Sequence, residues 1–169
     1  QAMQVSDKFS DSGGIVPTKG HGRRPGEVSE ATRFGTEKER RLAVLVDSNS
    51  ASASEIFAGA IRNLDRGVVL GVTTFGKGSV QNLYPFHQDG SALKLTIDQY
   101  LTPGDRSIQS IGISPDIELR PVWVEEDGDA YMYWQDAWTR EKDLDDHFLG
   151  GLEGDPPRFT CLHLDPDYY

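Results

Sequence analysis

The chain has 169 residues, of which 37% are hydrophobic and 26% are charged, and it carries a net charge of −10. This composition is typical of one folded globular domain and excludes a collagen-like chain, a disordered tail and a small disulfide-stabilised scaffold. A single cysteine, Cys161, excludes an internal disulfide and a cysteine-based metal cluster, and no apolar run approaches the roughly 20 residues of a membrane-spanning helix.

The first quarter of the sequence predicts one short helix and one long loop. Ala2, Val5 and Phe9 recur near helical spacing, and the short apolar pair Ile15–Val16 follows them. Residues 17–40 have no periodicity and are rich in Gly, Arg, Glu and Thr, so we expect a loop there. Loops of this length inside a compact domain are usually functional or mobile.

A strand–helix–strand unit follows the loop. Residues 42–46 are continuously apolar, which predicts a strand buried in a mainly parallel sheet. An apolar stripe at helical spacing predicts a helix over 52–64, and residues 68–70 read as a second buried strand. Such a unit requires parallel strands joined by a right-handed crossover.

The pattern then changes to alternation. Residues 80–86 and 93–97 predict the two arms of a β-hairpin around a polar turn, and 112–117 predicts a last short extended piece. Beyond Pro121, aromatic residues lie among acidic ones, with a helix expected near 130–148.

The negative charge is confined to the end of the chain. Residues 1–120 carry 14 acidic and 14 basic residues, whereas 121–169 carry 13 acidic and 3 basic ones. This distribution predicts a solvated acidic extension on a neutral body. It also argues against a nucleic-acid partner, because neutralising phosphates requires a basic patch.

Three serines stand where the first strand turns into the helix, a position at which parallel sheets place ligands and reacting groups. Ser52 lies between Ser50 and Ser54, and the N–H of Ala53 is placed to donate to a developing oxyanion at the positive end of the helix. Ser52 and Glu55 also have the spacing of a capping box, which has a purely structural role. The spacing alone does not choose among the three serines.

A nucleophilic serine needs a base, and Lys77 is a candidate because it lies between Gly76 and Gly78 after a buried strand. A lysine accepts a proton only when neutral, and burial in an apolar cleft favours the neutral form. The alternative bases are the histidines, which lie in predicted loops or in the extension with no motif around them: His21, His87, His147 and His163.

The same glycine-rich stretch has a rival interpretation as a phosphate-binding loop. Gly71, Gly76 and Lys77 have the spacing of that motif, but Gly78 occupies the position of the Ser or Thr that would hold magnesium. A phosphate-binding loop must also open a helix, whereas the residues after Gly78 predict a strand. Nucleotide binding is therefore the least favoured function.

Four motifs occur together: Leu-Val-Asp-Ser-Asn-Ser-Ala-Ser-Ala-Ser-Glu-Ile (45–56), Gly-Ala-Ile-Arg (59–62), Thr-Thr-Phe-Gly-Lys-Gly-Ser-Val-Gln (73–81) and Gly-Ile-Ser-Pro-Asp-Ile (112–117). In this order and spacing, the sequence resembles the carboxyl-terminal processing peptidases of the S41 type, also called tail-specific proteases. The resemblance extends over roughly residues 1–120.

The resemblance implies roles for individual residues. Ser52 would be the nucleophile, Lys77 the general base and Gln81 the residue that orients the lysine, with Ala53 as an oxyanion donor. No cofactor or metal is expected. The implied fold is an α/β core of the crotonase or Clp type, with a mainly parallel sheet flanked by helices and a β-hairpin.

The resemblance also implies a domain organisation. Residues 1–120 would be the C-terminal portion of the catalytic core and 121–169 an acidic extension, with a PDZ-like domain upstream of Gln1. We expect a serine endopeptidase that cuts proteins or peptides near accessible C-termini, in the periplasm or otherwise outside the cytoplasm, as a monomer or an oligomer. The alternative is a non-catalytic docking or scaffolding module.

A second oxyanion donor is expected outside the chain. In the family it comes from a Pro-Gly-Gly turn before the first helix, which would precede Gln1, so we expect 1–169 alone to be a poor catalyst. The pair Gly13–Gly14 is the alternative source of this donor within the chain.

Overall fold

The structure, a computed structural model, describes residues 1–20, 26–87, 90–124, 130–132, 139–145 and 156–164. The helices are α1 (Ala2–Phe9), α2 (Ala53–Asn63) and a 3₁₀ turn (Glu141–Asp143). The strands are β1 (Gly14–Gly20), β2 (Val28–Glu30), β3 (Ala43–Val46), β4 (Val68–Gly71), β5 (Ser79–Pro85), β6 (Ala92–Thr102), β7 (Arg106–Ser107), β8 (Ile117–Val124), β9 (Ala130–Met132) and β10 (Phe159–Leu164). No helix in these ranges is long and apolar enough to span a membrane.

One sheet contains the predicted strand–helix–strand unit. Its order is β10-β8-β4-β3, all neighbours are parallel, and β9 pairs antiparallel with β8. The parallel pairing of β3 with β4 on either side of α2 confirms the prediction. Parallel strands have their carboxyl ends on the same side of a sheet. The turn after β3 and the loop after β4 therefore lie next to each other on that side.

The prediction that residues 42–46 form a fully buried strand is wrong. Val46 is buried, but Leu45 is 76% exposed. β3 is the edge strand of the sheet, and side chains alternate between its two faces, of which only one packs on the core. A continuous apolar run does not distinguish this arrangement from burial on both faces.

The second sheet is antiparallel, with the order β2-β1-β6-β5 and with β7 paired to β6. The predicted hairpin is confirmed as β5 and β6, although residues 88–89 of its turn lie outside the described part of the chain. The loop predicted over 17–40 is wrong in part, because β1 extends to Gly20 and β2 lies inside the segment. The part of β1 inside the segment is Pro-Thr-Lys-Gly and β2 has only three residues, so neither is long or apolar enough to show alternation.

Helix α2 packs against helix α1 and against strands of both sheets, β4 of the first and β1 and β6 of the second. Ile56 and Ala60 are buried and pack in one cluster with Val46, Val69 and Ile113. Helix α1 packs on α2 through an edge-to-face contact of Phe9 and Phe57, whose ring centroids are 6.0 Å apart. The buried face of α2 thus fixes the orientation of its N-terminal end, where Ser52 lies.

The C-terminal residues contribute more structure than the sequence predicts. β8 runs on through Pro121, well past the predicted 112–117 piece, and β10 adds a further parallel strand beside it. The helix predicted near 130–148 is wrong where the chain is described, because β9 and the 3₁₀ turn stand there; residues 133–138 and 146–148 lie outside the described part. The sheet pairing overrides the weak helical pattern.

Candidate active site

The turn between β3 and α2 distinguishes its three serines. Asp47 Oδ1 accepts hydrogen bonds from the Ser50 N–H and hydroxyl, each at 2.8 Å, so Ser50 serves the turn itself. Ser54 is exposed in the first turn of α2. Ser52 is half-buried and has φ 54° and ψ −109°, a left-handed conformation that a residue other than glycine rarely adopts.

The strained backbone of Ser52 is a recognisable feature of functional sites. Such a conformation costs about 1–3 kcal/mol and persists only where the surrounding structure imposes it. Enzymes of the α/β-hydrolase fold use a strained strand-to-helix turn to expose the nucleophilic serine. The next residue, Ala53, is exposed, and within the described residues its N–H has no acceptor, so it is available to an oxyanion.

Glu55 joins this turn to the loop that carries Lys77. The residue is fully buried, and its Oε2 accepts the backbone N–H of Ser52 and that of Lys77, both at 2.8 Å. The two nitrogens therefore lie no more than twice that distance apart. Its Oε1 accepts from the Thr74 hydroxyl at 2.5 Å and from Gly76 N–H at 2.6 Å. One carboxylate thus fixes both candidate catalytic segments.

The sequence interpretation found only part of the role of Glu55. Its bond to the Ser52 N–H is the glutamate half of the predicted capping box. The contacts to Thr74, Gly76 and Lys77 are long-range and leave no local pattern in the sequence. The one sequence feature that could have indicated a wider role for Glu55 is its position three residues after the candidate nucleophile.

Burial raises the pKa of the Glu55 carboxyl above its ordinary value of 4.5, because loss of water disfavours the charge. The hydrogen bonds from Thr74, Ser52, Gly76 and Lys77 act in the opposite direction and lower it. The carboxyl therefore holds a proton to higher pH in the folded chain than in the unfolded one.

Lys77 lies in the loop Thr74–Gly78, called here the Lys77 loop, and is half-buried. A second bond, from Phe75 N–H to the Ser50 carbonyl at 3.0 Å, also holds the loop to the serine turn. The structure thus brings the backbones of Ser52 and Lys77 together. Gln81 lies on β5 with an exposed side chain and makes no hydrogen bond to Lys77 among the described residues, so its role stays a prediction.

The geometry of the Lys77 loop argues against phosphate binding. The residues after Gly78 form strand β5 rather than a helix, as the sequence indicates. The N–H groups of Gly76 and Lys77 donate to Glu55, and that of Gly78 donates to Gln109 Oε1 at 3.0 Å. The donors that would cradle a phosphate are therefore occupied by side chains of the chain itself.

The pair Gly13–Gly14 lies too far from Ser52 to supply the second oxyanion donor. A Cβ at Gly13 would stand 3.0 Å from Leu64 Cδ2, just beyond the C-terminal end of α2. Ser52 is at the other end of this 11-residue helix, about 16 Å away. A cavity of about 690 Å³ also lies at the Leu64 end, so it is separate from the candidate site.

The histidines give no alternative base in the described part of the chain. His87 is exposed at the tip of the β5–β6 hairpin. His21 and His147 lie outside the described residues, and His163 is on β10, the outermost strand of its sheet.

Comparison with known proteins decides the family. The model of peptidase family S41 matches residues 1–119. The chain belongs to peptidase family S41. A carboxy-terminal-processing protease of Bartonella bacilliformis is 39% identical over 155 residues, which are 92% of this chain and 34% of that protein. A chloroplastic C-terminal processing peptidase of Tetradesmus obliquus is 45% identical over 80 residues, or 47% of this chain and 17% of that one.

The likeness extends to a solved S41 structure. The photosystem II D1 C-terminal processing protease matches with a TM-score of 0.63 and 33% identity, over 69% of this chain and 30% of that chain. This match confirms the predicted fold class. The chain spans about a third or less of the length of the curated S41 relatives it matches.

The position of Glu55 in the candidate site gives a stability prediction. Glu55→Gln replaces one carboxyl oxygen by an NH₂ group that faces N–H donors and cannot accept, whereas the hydroxyl oxygen of the protonated carboxyl still can, so we expect the variant to lower the free energy of unfolding by about 2 kcal/mol near pH 4.5. Because the folded-state pKa of Glu55 is raised, its titration stabilises the fold fully below pH 4.5 and this contribution is lost as pH rises through the folded-state value. The deficit of the variant should therefore shrink with rising pH.

Urea unfolding between pH 4.5 and 7 measures the deficit. Glu39→Gln is the matched control, because Glu39 is exposed and should give no deficit at any pH. A deficit that grows with pH would mean that the four hydrogen bonds outweigh burial and lower the pKa of Glu55.

Proposed function

We propose that the protein carrying this chain is a serine endopeptidase that cleaves proteins near their C-termini, with Ser52 as nucleophile and Lys77 as general base. The observation that carries the proposal is the Glu55 carboxylate, one oxygen of which binds the backbone of both residues. The left-handed backbone of Ser52 supports the choice of this serine over its two neighbours.

The proposed reaction begins with neutral Lys77 taking the proton of the Ser52 hydroxyl. Ser52 Oγ then attacks the scissile carbonyl carbon, and the N–H of Ala53 stabilises the oxyanion of the tetrahedral intermediate. The C–N bond breaks as the protonated lysine gives its proton to the leaving amine. Water then hydrolyses the acyl-enzyme with Lys77 again as the base. Gln81 belongs to the proposal as the residue that orients Lys77, on the resemblance alone.

The substrate class is inferred from the relatives. The Bartonella and Tetradesmus proteins are named as C-terminal processing enzymes, and we extend that class of substrate, a protein with an accessible C-terminus, to this chain. We also infer a site of action outside the cytoplasm, in the periplasm of a bacterium or an equivalent compartment, which cell fractionation would test.

A cleavage assay tests this function against the docking alternative. The substrate is an unfolded protein with a free C-terminus, beside the same protein with an amidated C-terminus, and mass spectrometry identifies the products. We expect internal cuts near the free C-terminus and fewer cuts in the amidated substrate. Binding of both substrates without any product would favour a docking module.

A further inference from the structure

A short piece of the C-terminal extension contacts the Lys77 loop directly. Arg140 is half-buried, and its guanidinium donates to the Thr74 carbonyl at 3.1 Å and to the Ile111 carbonyl at 2.6 Å. The backbone N–H of Glu141 donates to the Phe75 carbonyl at 3.1 Å. The extension thus binds two successive carbonyl groups at the start of the Lys77 loop.

The side chain of Glu141 reaches the other end of the same loop through one intermediary. Gln109 is 1% exposed; its Nε2 donates to Glu141 Oε1 at 2.9 Å, and its Oε1 accepts the N–H of Gly78 at 3.0 Å. The amide of Gln109 is therefore oriented by Glu141, because the two ends of an amide have opposite hydrogen-bonding character. Lys77 lies between the two attachment points.

The loop has little room to move against this support. A Cβ at Gly78 would stand 2.9 Å from Gln109 N, and Ser110 N–H donates to the Gly76 carbonyl at 2.8 Å. A shift of the Gln109–Ile111 segment would therefore shift the Lys77 loop with it. Arg140 and Glu141 hold that segment and the loop together.

We propose that Arg140 and Glu141 are positioning residues, which set the backbone of the Lys77 loop so that the lysine faces Ser52. This inference rests on the proposed function for its catalytic consequence. The two residues lie beyond residues 1–119, the part that the S41 family model matches. The acidic extension thereby completes the support of the candidate base, with Glu55 holding the loop from the helix side.

Substitutions at the two residues test the proposal in the protein that carries this chain. We expect Arg140→Ala and Glu141→Ala to lower kcat by about tenfold to a hundredfold, with little change in KM, because a small misplacement of a catalytic group has effects of that size. Glu141→Gln retains an acceptor oxygen for Gln109 and should restore most of kcat. Lys142→Ala, on an exposed residue of the same 3₁₀ turn, is the control and should match the wild type.

Hydrogen exchange of the loop amides separates this inference from the proposed function. We expect the Gly78 amide to exchange at least tenfold faster in Glu141→Ala than in the wild type and in Glu141→Gln. If Glu141→Ala exchanges faster but the wild type has no peptidase activity, the contact that holds the loop is supported and the proposed function is overturned. Unchanged exchange, or unchanged kcat in an active enzyme, would overturn the positioning role. If Arg140→Ala does not fold, the comparison of Glu141→Ala with Glu141→Gln tests the positioning role.

Discussion

Ser52→Ala is expected to abolish peptide cleavage, lowering kcat by about 10⁶-fold, the order seen when a catalytic serine is removed from a serine protease. The alanine leaves no oxygen to attack the carbonyl carbon. Ser52 stands at the positive end of α2 with a left-handed backbone, and the neighbouring N–H of Ala53 is free to bind an oxyanion. Single-turnover cleavage of an unfolded protein measures the effect.

The neighbouring serines are the controls for this substitution. Ser54→Ala removes an exposed hydroxyl and should leave kcat within a few-fold of the wild type. Ser50→Ala removes two hydrogen bonds with Asp47 and should lower stability by about 1 kcal/mol before it affects chemistry. If Ser54→Ala were inactive while Ser52→Ala still cleaved, the assignment of the nucleophile would be wrong.

The parts of the fold that the sequence predicts best are those with local signals. Apolar residues at helical spacing locate α2 to within a residue at each end, and the parallel pairing of β3 and β4 follows from the helix between them. The alternation of Leu93, Leu95 and Ile97 locates the hairpin arm of β6. Each of these patterns is set by neighbours within a few positions along the chain.

The errors concern pairing between distant segments. β1 and β10 owe their strand structure to partners about 80 and 40 residues away, β6 and β8, so their own residues carry weak patterns. The exposure of Leu45 follows from the position of β3 at the edge of a sheet, which depends on the order of all the strands. Local periodicity contains no information on that order.

The residues of the candidate site also differ in how well the sequence predicts them. Ser52 and Lys77 are proposed from local motifs and the family resemblance, but the approach of their backbones depends on Glu55, which contacts residues 19 to 22 positions away. The approach of Arg140 to Thr74 spans 66 positions and comes from a segment for which the sequence predicts a helix in a solvated acidic extension and no contact with the site. The sequence is sufficient to propose the candidate residues, but it does not predict the contacts that support them.

Lys77→Arg is expected to be nearly as damaging as Lys77→Ala, and each should lower kcat by about 10²- to 10⁴-fold. A general base must be neutral to accept the proton of the serine hydroxyl, and an arginine side chain stays charged throughout the accessible pH range. The arginine keeps much of the length of the lysine and a basic end group but cannot accept a proton, so its failure would separate proton transfer from packing. Lys94→Arg, on an exposed residue of β6, is the control and should match the wild type.

The stability of these variants completes the test. The backbone N–H of Lys77 is bound by Glu55 whatever the side chain is, so all variants should retain the loop and similar free energies of unfolding. Substantial cleavage by Lys77→Arg would remove Lys77 from the mechanism and require another base beside Ser52.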